Sequence, residues 1–299
     1  MNQTVEAVSV PVTAPVTRAR IADFVALTKP GITFMVSITA AVGYWLAARE
    51  SFEAHVLLRL LIGTVLSAAG AAALNQVLER NLDAKMERTR NRPLPAGRMK
   101  VAPAAAFGIV LAAAGLAHLA GAVNLLTAGL SLATIVSYLF LYTPLKTKTS
   151  LCTIVGAVPG ALPPVMGWAA ARGSLEAGAA ILFMILFFWQ LPHFLALAWM
   201  YREDYARGGF PMLSVEGPDG ASTGRQVVLQ TLALIVVSIL PMGFGMAGEM
   251  YLVAALFLGA GFLGFGIAFA VERSRARASR LFFASIFYLP LLLAALALL

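Results

Sequence analysis

Apolar residues run in long stretches along this chain, and polar residues gather in the intervals between them. Nine stretches stand out, at roughly 31–48, 56–78, 102–121, 124–143, 151–171, 177–200, 226–247, 250–271 and 281–298. Each is long enough for a helix to cross a hydrocarbon core about 30 Å thick. The pattern predicts an all-α multi-pass membrane protein with nine transmembrane helices. Many residues in the stretches are small, as in LSAAGAAAL (66–74) and IVGAVPGAL (154–162), and small residues let helices approach closely in lipid. Pro159, Pro163, Pro164 and Pro192 fall inside or near spans, where kinks are tolerated once freed backbone groups find partners. The second and sixth spans each run into a long polar loop. That echo, four spans apart, suggests two related four-helix halves and a ninth helix.

Composition strengthens this reading. Of the 299 residues 60% are hydrophobic and 12% charged, against about 25% charged in a typical soluble domain. Cys152 is the single cysteine, which excludes an internal disulfide and a CxxC metal site. Residues 1–20 lack the apolar core of a cleaved signal peptide. They are expected to form a flexible tail ahead of one membrane domain over 21–299.

Charge orients the spans. Of the 22 lysines and arginines, only Arg49, Arg59 and Arg172 fall on the side of the odd-numbered loops. The rest lie before the first span or in the even-numbered loops. The positive-inside rule then puts the N-terminus and the even loops in the cytoplasm and the C-terminus outside. A scheme of eight or ten spans would scramble this asymmetry. The net charge of +8 is accounted for by these loops, and no nucleic-acid partner is expected.

Two loops carry the candidate chemistry, over 79–101 and 201–225. Asn75, Glu79 and Asp83 stand four residues apart, so on a helix they line one face at steps of about 6 Å. An amide and two carboxylates are hard oxygen ligands of the kind Mg²⁺ takes, with water and substrate phosphate completing the octahedron. Lys85, Arg88, Arg90 and Arg92 follow. Cations beside metal-binding acids suit a phosphate ester, which arginine grips bidentately. The plainer alternative is a solvated basic loop with ordinary helix ion pairs. The second loop, YREDYARGGFPML (201–213), offers Glu203 and Asp204. Two acidic clusters could hold two metal ions against one diphosphate, and metals on the leaving oxygens ease C–O cleavage. An allylic substrate could then ionise without any protein nucleophile.

The ladder followed by MERTRNRP (86–93) resembles the first signature of the UbiA-type intramembrane prenyltransferases. LTKPGIT (27–33), YTPLKTKTSLCTIVGAVPGALPPVMGW (142–168) and WQLPHFLALAWMYREDYARGGFPML (189–213) agree with it. The likeness covers nearly all of the chain beyond the first twenty residues and is nearest to the haem-farnesylating branch. It departs from the wider family twice. Glu79 stands where many members have Asp, and Gly208 stands where most have a second acid four residues after Asp204. The resemblance implies transfer of farnesyl from farnesyl diphosphate to a vinyl group of protohaem IX, with addition of water, in a bacterial plasma membrane. It assigns Asn75, Glu79, Asp83 and Asp204 to Mg²⁺, with Glu203 as helper. Lys29, Arg88, Arg92 and Lys146 would contact the diphosphate, and Tyr142 the leaving phosphate or the carbocation. His193 could ligate the haem iron or orient the macrocycle; otherwise it is a helix histidine bonded to a backbone carbonyl freed by Pro192. His118 and His55 are expected to be structural. A downstream haem-modifying membrane enzyme is a plausible recipient of the product. Three other readings stay open: a prenyltransferase for a quinone precursor or chlorin, a transporter, and a non-catalytic oxidase assembly factor. A transporter would place ionisable residues in mid-span, whereas the acids here cluster at one face.

Overall fold

The computed structural model describes residues 21–217 and 219–299, and among these nine helices are long and apolar enough to cross a membrane. The expected tail at 1–20 lies outside the described residues. A short helix, α1 (Ile21–Leu27), leads into α2 (Pro30–Ala47), and α3 (Ala54–Asp83), α4 (Val101–Ala122) and α5 (Leu125–Val136) follow. A π-helical turn (Ser137–Tyr142) and one closing turn, α6 (Thr143–Leu145), complete the fourth span. Next come α7 (Cys152–Arg172) and α8 (Ala177–Met200), then two short loop helices, α9 (Arg202–Gly208) and α10 (Leu213–Glu216). The chain ends with α11 (Ala221–Gly243), α12 (Glu249–Val271) and α13 (Arg275–Leu298).

Some boundaries differ from those expected. α3 runs on to Asp83, while α11 and α13 begin earlier than their apolar stretches. Hydropathy marks where the bilayer starts, but backbone hydrogen bonding continues into the interface. The rungs Glu79 and Asp83 therefore sit on the last turns of the helix, on one face with Asn75 as their spacing predicts.

Successive spans pack side by side into a ring that α13 closes against α2, with α2 also crossing α7 and α8 crossing α13. Close approach depends on absent side chains. A Cβ on Gly70 would stand 2.4 Å from the backbone nitrogen of Ala112, and one on Gly43 would meet the carbonyl of Pro164. These contacts fix α3 on α4 and α2 on α7, as expected where dispersion rather than hydrophobic exclusion drives association. The prolines in α7 and Pro192 in α8 remain inside continuous helices. Large apolar side chains such as Phe140, Phe257 and Phe287 point outward, forming the surface that meets lipid.

Candidate functional site: a buried acid–cation array

At about 1.5 Å per residue, the 30-residue α3 is longer than a hydrocarbon core about 30 Å thick. Its far end carries Asn75, Glu79 and Asp83, all nearly inaccessible to solvent at 1%, 4% and 1% exposure. Buried carboxylates require partners, and each rung has a cation from a different segment. Lys29 Nζ donates to Asn75 Oδ1 at 2.8 Å. Lys146 Nζ donates to Glu79 Oε1 at 2.8 Å, and Arg92 to Asp83 Oδ2 at 2.8 Å. The array holds two carboxylates and three basic groups.

Local structure aims each cation. Lys29 lies between α1 and α2 with φ of 47°, a left-handed conformation uncommon for a residue with a Cβ. Pro30 begins the next helix, and the reversal turns the Lys29 side chain toward α3. Burial, with Arg92 next in effect, lowers the Lys29 pKa to about 7. Lys146 follows the π-turn. Burial disfavours its charge, but Tyr142 and Glu79 outweigh that and hold its pKa above the usual lysine range. Arg92 comes from the irregular segment after α3, which Thr89 pins by donating its hydroxyl to the Asp83 carbonyl at 2.8 Å.

The π-turn shapes the wall beside the array. Tyr138 and Tyr142 stack with centroids 5.8 Å apart, and Lys146 Nζ stands 5.0 Å from the Tyr142 centroid. Lys29 Nζ reaches the Tyr138 hydroxyl at 3.5 Å. Thr143 accepts from Asn75 Nδ2 at 3.1 Å, which leaves the Asn75 oxygen turned to Lys29. The sequence reading missed Tyr138 and Thr143. The Tyr138–Tyr142 spacing is a visible signal, but the π-turn that uses it is not.

The second acidic loop does something different from the first. Asp204 is buried and accepts from the backbone nitrogens of Glu87 and Arg88 at 2.9 and 3.2 Å and from the Arg207 guanidinium. Burial would raise its pKa; those bonds outweigh burial and hold it below the ordinary carboxylate value. Asp204 thus grips the segment that carries Arg88 and Arg92. Glu203 is exposed, and so is Arg88, whose guanidinium lies 5.3 Å from the Tyr201 ring centroid.

His193 stands apart from the array. Its ring is stacked between Trp189 and Phe282, and Nδ1 lies 2.7 Å from the Ser285 hydroxyl on α13. The partner is a hydroxyl rather than the carbonyl expected. Ser285 itself donates to the Phe282 carbonyl. Ser285 thus bridges the His193 ring to the backbone of α13. His118 bonds the Arg59 carbonyl at 3.1 Å, and His55 pairs with Glu53 at the surface.

The sequence matches the UbiA prenyltransferase family over residues 36–290. The chain belongs to that family. It is 49% identical over 279 residues to a protein from Solibacter usitatus (strain Ellin6076) named protoheme IX farnesyltransferase, covering 90% of this chain and 96% of the relative. A protein of that name from Myxococcus xanthus (strain DK1622) is 46% identical, over 92% of this chain and 94% of its own. In fold the chain resembles digeranylgeranylglyceryl phosphate synthase, with a TM-score of 0.78 at 16% identity over 93% of this chain and 97% of that one. It also resembles a UbiA homologue from Archaeoglobus fulgidus bound to DMAPP and Mg²⁺, with a TM-score of 0.65 at 15% identity over 93% and 100%.

Against that family background the departure at Gly208 has a steric cause. A Cβ there would lie 2.8 Å from the Phe210 ring and 3.2 Å from Met86. A carboxylate side chain has no room, because that space belongs to the core of Met86, Cys152, Phe210 and Met212. Among the described residues no three His, Cys, Asp or Glu side chains converge as a ready metal cage. The donor set nonetheless suits Mg²⁺: three hard oxygens line one helix face, and each is bonded to a cation that an incoming diphosphate could take over.

Proposed function

We propose that this protein transfers the farnesyl group of farnesyl diphosphate to a vinyl group of protohaem IX, with addition of water, giving haem O. The observation that carries the reading is the buried array of Asn75, Glu79 and Asp83 with Lys29, Lys146 and Arg92. The names of the relatives suggest the acceptor. A diphosphate with about three negative charges needs both cations and metal, and the array offers ligands for each. Asn75, Glu79 and Asp83 would hold Mg²⁺, which when bound neutralises the diphosphate and makes it a better leaving group.

The chain's own groups do the rest. Lys29, Lys146 and Arg92 move their hydrogen bonds from the rungs to the diphosphate, and Arg88 adds charge at the open side. The C1–O bond of the substrate breaks, with its electron pair leaving on the diphosphate. Tyr142, held against Lys146, faces the allylic cation with its ring. The terminal vinyl carbon of the haem forms the new C–C bond to C1. The adjoining carbon takes up water, which loses a proton. Asp204 keeps the Arg88–Arg92 segment in place, and Glu203 supplies an exposed carboxylate for a second ion. His193, through a ring nitrogen, ligates the haem iron or orients the ring. The basic loops face the cytoplasm of a bacterial plasma membrane, and a haem-modifying membrane enzyme receives the product.

The test is an assay of purified protein in lipid with protohaem, farnesyl diphosphate and Mg²⁺, followed by mass spectrometry of extracted haem. Haem that gains farnesyl plus water, only while Mg²⁺ is available, is the expected result. Unchanged haem, with diphosphate released only when an aromatic acceptor is supplied, would reassign the acceptor.

A further inference from the structure

A cavity of about 490 Å³ opens between the start of α7, α8, α10 and α11. None of its lining residues belongs to the acid–cation array. Its polar groups come mainly from α11: Arg225, Gln226 and Gln230. Its apolar wall is built by Leu191 and Leu195 of α8, with Ile154 and Leu229. Polar groups thus meet an aliphatic channel near the end of the bundle that carries the basic loops.

Three observations point to an occupant. Arg225 is exposed and has no carboxylate partner among the described residues; its guanidinium reaches only the Ser222 hydroxyl, at 3.4 Å. Gln226 and Gln230 lie within a membrane-spanning helix, where an unpaired amide is costly. They bond one another, Gln230 Nε2 to Gln226 Oε1 at 3.1 Å, which leaves the Gln226 nitrogen and the Gln230 oxygen without protein partners among the described residues. No acidic side chain lines the cavity, and Arg225 is its single charge. One cation matches one phosphodiester, not the roughly threefold charge of a prenyl diphosphate.

We propose that this cavity holds one anionic glycerophospholipid of the surrounding leaflet. Its phosphodiester pairs with Arg225 and a glycerol ester carbonyl accepts from Gln226. A headgroup hydroxyl donates to Gln230, and an acyl chain lies along Leu191, Leu195 and Leu229. The lipid braces the back of the reaction site. The lining residue Ser150 follows the loop of Lys146, and Leu213 adjoins Met212, which packs with Cys152 and Phe210 against Met86.

Native mass spectrometry of the delipidated full chain, with phosphatidylglycerol or phosphatidylcholine added back, tests this without reference to catalysis. The wild type is expected to retain one phosphatidylglycerol and no phosphatidylcholine. Arg225→Gln and Gln230→Leu are each expected to lose that lipid at a concentration that saturates the wild type. Arg275→Gln, at an exposed arginine beginning α13 outside the cavity, is expected to keep it. Equal retention of both lipids by the wild type would overturn the proposal. So would equal loss in Arg275→Gln and Arg225→Gln, which would mark a diffuse attraction to basic loops.

Discussion

Asp83 is almost fully buried, yet its partner Arg92 is 26% exposed at the side chain. That asymmetry shapes the effect of neutralising it. In Asp83→Asn the guanidinium can turn to water, so the cost of stranding a buried charge is largely avoided. The variant is expected to insert and melt near the wild type while turnover falls by at least about 100-fold, the scale for losing one preorganised electrostatic contact. Near-normal turnover would remove Asp83 from the metal site. Gly156 makes a separate prediction. A Cβ there would stand 2.6 Å from the Tyr142 ring. Gly156→Ala should push that ring off Lys146 and slow turnover by roughly ten- to a hundred-fold, with diphosphate affinity little changed. An unaltered kcat would dissociate Tyr142 from the chemistry. The ladder itself could be read from the sequence, since i, i+4 spacing carries its own geometry. Its capping could not: Lys29 and Lys146 come from distant segments and Arg92 from the irregular stretch just after α3, and only tertiary packing assigns one to each rung.

The nine spans were legible because apolar runs of this length have few other uses. The fine structure of their ends was not. The continuation of α3 to Asp83 depends on cations arriving from elsewhere to make buried acids tolerable, and the π-turn at Ser137–Tyr142 leaves no apolar signature. The second acidic loop is the clearest case of a role that packing decides. Spacing alone presents Asp204 as a ligand like Asp83, whereas its oxygens engage the backbone of Glu87 and Arg88. Asp204→Ala should orphan those two N–H groups. Amide exchange at Glu87 and Arg88 is expected to rise about tenfold, equivalent to about 1.4 kcal/mol, and KM for farnesyl diphosphate to rise with it. Unchanged exchange would show that the segment is held by other contacts.

For the molecule as a whole, the charge asymmetry between loops predicts its orientation. Lys148 lies in the loop before α7 and Arg172 at the opposite end of that helix. In inside-out vesicles a membrane-impermeant maleimide should label Lys148→Cys and spare Arg172→Cys; the reverse would invert the topology. The central claim is that the acids ending α3 bind metal and diphosphate together, and that the cations now on them are held ready for the substrate. The most direct measurement is equilibrium binding of an unreactive thiolo analogue of farnesyl diphosphate, with and without Mg²⁺, to the wild type and to Glu79→Gln. The account predicts that Mg²⁺ tightens binding to the wild type at least about tenfold, or about 1.4 kcal/mol. In Glu79→Gln that gain should be largely lost. A Mg²⁺ effect of the same size in both proteins would contradict it.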